Sequence, residues 1–265
     1  MARGRAQGDG WMKVEFLGVG EACDELLPNT SILVECPGQG GRTILLDCGF
    51  TAASPYLQRV QDPERLDAVW VSHFHGDHFF GLPQLLLRFW ETGRSRPLIC
   101  IGQQRMKDVV SRLMDMAYPG LAANLGFDLE WQVLEPDNGL ELGNLNLSCA
   151  PTDHPQPNLA LRLECGGRSM FYSGDGGITS ASRDLARQCD LAVHEAFVLT
   201  PASNGHCSVQ DCLDMAAQAG VNSLALVHIQ RTERPQVKHI EASELKARAM
   251  CPVLVPEPGE SLSLD

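Results

Sequence analysis

The chain is 265 residues long, 44% hydrophobic and 20% charged, which suits one large α/β domain and leaves little for a second. Its 21 Lys and Arg stand against 33 Asp and Glu for a net charge of −12, an awkward balance for gripping a long nucleic acid through its phosphates. No apolar run approaches the ~20 residues of a membrane-spanning helix, and the basic, glycine-rich start has no apolar stretch to serve as a signal peptide, so no membrane partner is expected.

Residues 1–12 are expected to be a disordered leader and residues 13–265 a single domain. Strands are predicted at Val14–Val19, Ser31–Cys36 and Thr43–Asp47, the last two joined by the turn Pro37-Gly-Gln-Gly-Gly41. A short helix at Pro55–Val60 precedes a buried strand at Ala68–Val71. Helical apolar spacing covers Phe79–Glu91 and Gln103–Ala117, around a strand at Leu98–Ile101. Strands follow near Phe127–Leu134, Leu140–Cys149, Leu159–Leu163 and Ser169–Tyr172. Helices near Ser180–Arg187 and Val209–Ala219 enclose a strand at Leu191–His194. A strand at Ser223–Val227, a helix at Ala242–Ala249 and strands around Val253 and Leu262 close the chain. This order fits a layered α/β domain. Segments 135–147 and 256–264 are faintly alike, a hint of a duplicated half.

Five of the ten cysteines, Cys36, Cys48, Cys100, Cys149 and Cys165, fall in or beside apolar strand-like runs, and no Cys-x-x-Cys pair occurs. Free Cys behaves there as a small hydrophobe, so a reducing cytoplasm is the expected setting. Cys207 and Cys212 stand apart, because Cys207 adjoins a candidate functional histidine.

The most informative segment is Ser72-His-Phe-His-Gly-Asp-His78. His73, His75, Asp77 and His78 suit neither an apolar core nor a solvated face, given the apolar runs on both sides. Imidazole and carboxylate bind divalent transition metals. Alternate residues of an extended segment point the same way, so His73, His75 and Asp77 converge while His78 turns into the next helix. Four donors in six residues exceed what one catalytic metal needs, since such a site keeps a position open; the cluster is therefore read as divided between two metals.

That spacing matches the HxHxDH motif of the metallo-β-lactamase superfamily. The longer string, running on through Phe79-Phe-Gly-Leu-Pro-Gln-Leu-Leu86, resembles the tRNA 3′-processing endonucleases called ribonuclease Z. Val193-His-Glu-Ala-Phe197 and Gly205-His-Cys-Ser-Val209 are similar to that family's His-Glu-Ala-Thr-Phe and Gly-His-Ser-Thr segments, with Cys207 in place of the serine. Gly18-Val-Gly20, Pro28-Asn-Thr-Ser31 and Leu226-Val-His-Ile-Gln-Arg231 extend the likeness from about Lys13 to Val255.

The resemblance implies a four-layer αββα sandwich holding two divalent ions, zinc in expectation, with manganese or iron acceptable to the same donors. It implies that His73, His75 and His154 hold one ion, that Asp77, His78 and His228 hold the other, and that Asp175 bridges. Asp77, Glu195 and His206 form the implied catalytic set, Glu195 orienting His206 as proton donor; His194 is read as a structural neighbour. One departure matters. Ribonuclease Z carries a long tRNA-gripping arm between the equivalents of His154 and Asp175, whereas only residues 155–174 separate them here.

The expected activity is therefore a binuclear phosphodiesterase that uses a metal-activated hydroxide and favours small diesters over tRNA. A homodimer is also expected, as among relatives. The alternatives are hydrolysis of a lactone or thioester, for which Glu195 and His206 have less reason to exist, and a non-catalytic binding module, which would have lost ligands. Iron redox chemistry is disfavoured by His75, where di-iron reductases of this fold carry Glu.

Overall fold

Fourteen strands pair into two seven-stranded sheets in the computed structural model, which describes residues 11–200 and 205–265. The first part of the chain supplies β1 (Met12–Gly18), β2 (Ser31–Cys36), β3 (Arg42–Leu46), α1 (Ala53–Arg59), β4 (Ala68–Trp70), α2 (Gly76–Phe79), α3 (Leu82–Glu91), β5 (Leu98–Gly102), α4 (Met106–Ala117) and β6 (Leu129–Val133). Then come β7 (Leu140–Leu142), β8 (Leu145–Pro151), β9 (Leu159–Cys165), β10 (Arg168–Tyr172), α5 (Ser180–Leu185), β11 (Leu191–Glu195), α6 (Val209–Ala219), β12 (Leu224–Val227), α7 (Arg234–His239), α8 (Ala242–Ala249), β13 (Val253–Leu254) and β14 (Ser261–Leu264).

The sheets run β14-β1-β2-β3-β4-β5-β6 and β13-β12-β11-β10-β9-β8-β7. Their internal patterns are the same. In each, an edge strand and its three successors pair antiparallel, and the remaining three strands join in parallel. The likeness between 135–147 and 256–264 has a counterpart here, since β7 and β14 are the equivalent edge strands. Each follows one six-strand run in sequence yet pairs with the first strand of the other run, β7 with β8 and β14 with β1.

Period-two alternation builds the layers. Ile32, Val34, Ile44, Leu46, Ala68 and Trp70 point between the sheets, where they meet Leu161, Leu163, Tyr172 and Val193. Leu33, Leu45 and Val69 point outward to Tyr56 of α1, Leu82, Leu85 and Phe89 of α3, and Val110 of α4. Ala192, Leu224 and Leu226 do the same toward Cys212, Leu213 and Ala216 of α6 and Leu245 of α8. This is the αββα sandwich.

Four boundaries differ from the sequence expectation. Of the supposed leader, residues 1–10 lie outside the described residues, but Met12 opens β1, fully buried and opposite Leu264. Leu140–Cys149 is a hairpin rather than one strand, because Gly143, at φ 64°, and Asn144 form the two-residue turn between β7 and β8. The helix expected over Phe79–Glu91 is two: the Gly81 N–H donates to the Cys48 carbonyl at 2.9 Å, tying the break to the end of β3. Helix α7 was not expected, since Val237 is its one buried apolar side chain and offers no periodicity.

Candidate metal centre

All the candidate residues except His206 sit at or follow the C-terminal end of a strand, directly or through α2, along one rim of the sandwich. The segment after β4 carries His73 and His75 into α2, which holds Asp77 and His78. His154 follows β8, Asp175 follows β10, Glu195 ends β11, His206 precedes α6 and His228 follows β12. The first sheet thus supplies four donors and the second the rest.

Two groups form around Asp175. His73, His75, His154 and Asp175 each place one donor atom within 4.8 Å of all the others, and Asp77, His78, Asp175 and His228 do the same. Asp175 Oδ2 lies 3.8 Å from His73 Nε2, while Oδ1 lies 3.3 Å from His78 Nε2 and 3.6 Å from His228 Nε2. Asp77 Oδ2 lies 3.3 Å from His78 Nε2 and 3.2 Å from His228 Nε2. His75 is exposed and His154 partly so; the other donors are buried.

Neighbouring groups set which imidazole nitrogen faces the centre. The His78 Nδ1–H donates to Asp47 at 2.7 Å, and the His154 Nδ1–H donates to the Gln156 carbonyl at 2.8 Å. The Ser72 hydroxyl donates to Asp47 at 2.8 Å and so accepts from His73 Nδ1 at 3.0 Å. In all three rings Nδ1 is occupied, so that Nε2 is the atom left to face the centre, the arrangement that holds metal-ligating histidines. Burial, then the neighbouring His78, pushes the His73 imidazole well below its ordinary pKa, keeping it neutral. Burial also pushes Asp175 and Asp77 up, but the surrounding imidazoles outweigh it and hold both well below the usual carboxylate range.

A carboxylate–imidazole pair flanks the second group. His206 Nδ1 lies 3.1 Å from both oxygens of the fully buried Glu195. Burial lowers the His206 pKa, yet Glu195 more than compensates and raises it. Glu195 is fixed from several sides: Gly176 N–H and Cys207 N–H donate to Oε1, and its own N–H donates to Ser173 Oγ. Gly176 sits at φ 110°, a conformation that side chains resist. The Phe197 ring stacks on His206 with centroids 4.6 Å apart. His194 lies behind this pair, fully buried, with its Nδ1–H donating to the Glu195 carbonyl at 2.8 Å.

Sequence reasoning missed Asp47. It follows the apolar β3, is fully buried and accepts hydrogen bonds from Ser72, His78 and Tyr172. The one signal was a carboxylate ending an apolar run.

The β9–β10 connection is a tight turn at Gly166-Gly167, so residues 155–174 hold two strands and no arm. The profile of the family described as Beta-lactamase superfamily domain matches residues 42–229. Ribonuclease BN of Escherichia coli strain K12 is 28% identical over 273 residues, covering 82% of this chain and 89% of that protein. A metallo-beta-lactamase fold protein from Bacillus subtilis superposes with a TM-score of 0.75 at 21% identity, covering 96% of this chain and 100% of the other. Human tRNase Z, short form, superposes with a TM-score of 0.74 at 21% identity, covering 94% and 98%. The strand order, the histidine-rich rim and the profile match agree: the chain belongs to the metallo-β-lactamase superfamily of hydrolases, where it resembles the ribonuclease Z-like branch.

Proposed function

We propose that this protein is a binuclear, zinc-dependent phosphodiesterase that acts on small diesters, in a cytoplasmic setting and as a homodimer. The observation that carries the reading is the pair of donor groups sharing Asp175, with Glu195 and His206 beside them. The donor set fits metal ions on its own chemistry. His73 Nε2, His78 Nε2 and Asp175 Oδ1 are buried without a hydrogen-bond partner, a costly arrangement for polar atoms unless something binds them. His73, His75 and His154 would hold one ion, Asp77, His78 and His228 the other, and Asp175 both. Bound there, two ions supply positive charge to the phosphoryl oxygens and lower the pKa of a water.

The protein's own residues do the rest. Glu195 holds the His206 ring by Nδ1, so that Nε2 is the nitrogen that delivers a proton to the departing alkoxide. Phe197, stacked on the ring, limits its rotation. Ribonuclease BN supports the choice of a phosphodiester over a lactone or thioester.

His206→Ala tests the assignment. The variant should keep its metal yet lose roughly 10²–10⁴-fold in turnover on a diester with an alkoxide leaving group, the range for one general acid. On bis(p-nitrophenyl) phosphate the loss should shrink, because p-nitrophenolate departs without protonation. Equal losses on both substrates, or loss of metal with the ring, would show that His206 is a ligand or scaffold residue instead.

A further inference from the structure

We propose that Cys207 and Cys212 form an oxidation site, closed to a disulfide by a hydroperoxide, that loosens His206 from Glu195. The local sequence brings the sulfurs together. Ser208 caps α6, its Oγ accepting from Asp211 N–H at 3.0 Å while Asp211 accepts from Ser208 N–H at 3.4 Å. In such a helix start, the residue before the cap packs on the fourth helical residue. Those positions are Cys207 and Cys212, and their sulfurs lie 3.5 Å apart with side chains almost wholly buried. Apolar bulk alone would satisfy that packing, and serine stands at the first position in the segment this one resembles. A disulfide needs about 2.05 Å between the sulfurs, so they must close by about 1.5 Å.

His194 completes a cluster with the two thiols, which raises the question of a metal. The Glu195 carbonyl can only accept, so His194 Nδ1, 2.8 Å away, holds a proton and donates it. The Cys212 thiol donates to the same oxygen at 3.1 Å. The imidazole nitrogen nearest the thiols is thus committed, and the sulfur pair is the reactive unit.

Approach is from one side. A cavity of about 380 Å³, lined by His206, Cys207, Asp211 and Met215, reaches Cys207, whereas Cys212 lies behind it. Cys207 lines that cavity and Cys212 does not, so Cys207 is the sulfur that meets the oxidant. Its sulfur attacks the O–O bond, releasing an alcohol and leaving a sulfenic acid, from which Cys212 displaces water. In sum, two S–H bonds and one O–O bond break, and one S–S and two O–H bonds form. Two electrons pass from sulfur to peroxide oxygen, and both protons end on oxygen. Closure by about 1.5 Å shifts Cys207, whose N–H is held by Glu195 Oε1 at 3.3 Å and which adjoins His206, so the movement is passed to the Glu195–His206 contact.

The effect on turnover rests on the role proposed for His206; the disulfide does not. Metal-loaded, full-length protein should be treated with hydrogen peroxide and mapped by mass spectrometry without reduction. A linked Cys207–Cys212 peptide is expected, with metal content unchanged and diester turnover down by about tenfold or more, as for a displaced proton donor. Dithiothreitol should restore activity, and Cys207→Ser and Cys212→Ser should stay active in peroxide. Absence of the linked peptide under conditions that fully oxidise the exposed Cys23 would overturn the site. A linked peptide without loss of turnover would overturn the coupling to His206. If the linked peptide forms in a protein that hydrolyses no diester beforehand, the oxidation site stands and the phosphodiesterase reading fails.

Discussion

Asp47 binds no ion in the proposed scheme, yet it joins three segments of the rim. Ser72 N–H and Oγ–H each donate to it at 2.8 Å, and His78 Nδ1 and Tyr172 Oη each donate at 2.7 Å. Its backbone is left-handed at φ 58°, a conformation Asn tolerates nearly as well as Asp. Asp47→Asn is therefore a clean probe, keeping the backbone while removing one acceptor oxygen. We expect it to weaken metal affinity 10–100-fold, the usual effect of losing the partner of a ligating histidine, measured by metal analysis after dialysis against graded chelator. Unchanged retention would separate Asp47 from the metal centre. The contrast with His73–His78 explains what the sequence discloses at this scale. Four donors in six residues are improbable as core or surface, so they declare a site by themselves. A single carboxylate ending an apolar run signals only a buried charge, and its partners 25 to 125 residues away are a tertiary fact. The same holds for Glu195 and His206, which were found through flanking residues that resemble a family rather than through chemistry legible in either one.

Among the elements, α6 ties the proposed proton donor to the fold. Ser208 and Asp211 form its capping box, while Cys212, Leu213 and Ala216 bury one face against the second sheet. Ser208→Ala should cost about 1 kcal/mol, a fall of roughly 2–4 °C in Tm for a chain of this size, visible by calorimetry of the metal-loaded protein. An unchanged Tm would mean the cap contributes nothing beyond its surroundings. This helix was legible because apolar residues recur at helical spacing along Val209–Ala219. Strands such as β2 and β3, buried on both faces at Ile32–Val34 and Ile44–Leu46, were legible instead as short continuous apolar runs joined by turn residues. Helix α7 was not, since Arg-Pro-Gln-Val-Lys-His carries one buried apolar residue. The break between α2 and α3 was hidden too, because it is made by Gly81 meeting Cys48 from another segment.

At the scale of the whole molecule, charge and connectivity bear on what can be bound. With 21 basic residues against 33 acidic ones and a tight turn where ribonuclease Z carries its arm, little is available to hold a long RNA by its phosphates. In the proposed scheme, binding energy comes from the metal centre and its immediate walls. A cyclic nucleotide or other small diester should show a higher kcat/KM than a precursor tRNA, with only a shallow dependence on salt. Accurate 3′ trimming of tRNA that collapses as salt is added would restore the tRNA-processing assignment. The pairing of β14 with β1 and of β7 with β8 has a wider consequence. Each half of the chain gives its last strand to the other half's sheet, so the protein is built like a domain-swapped dimer whose subunits have been joined end to end. Neither half owns a complete sheet, and the rim draws on both, with His73 after β4 of the first half and His154 and Asp175 after β8 and β10 of the second. The two halves are therefore expected to unfold together rather than one at a time.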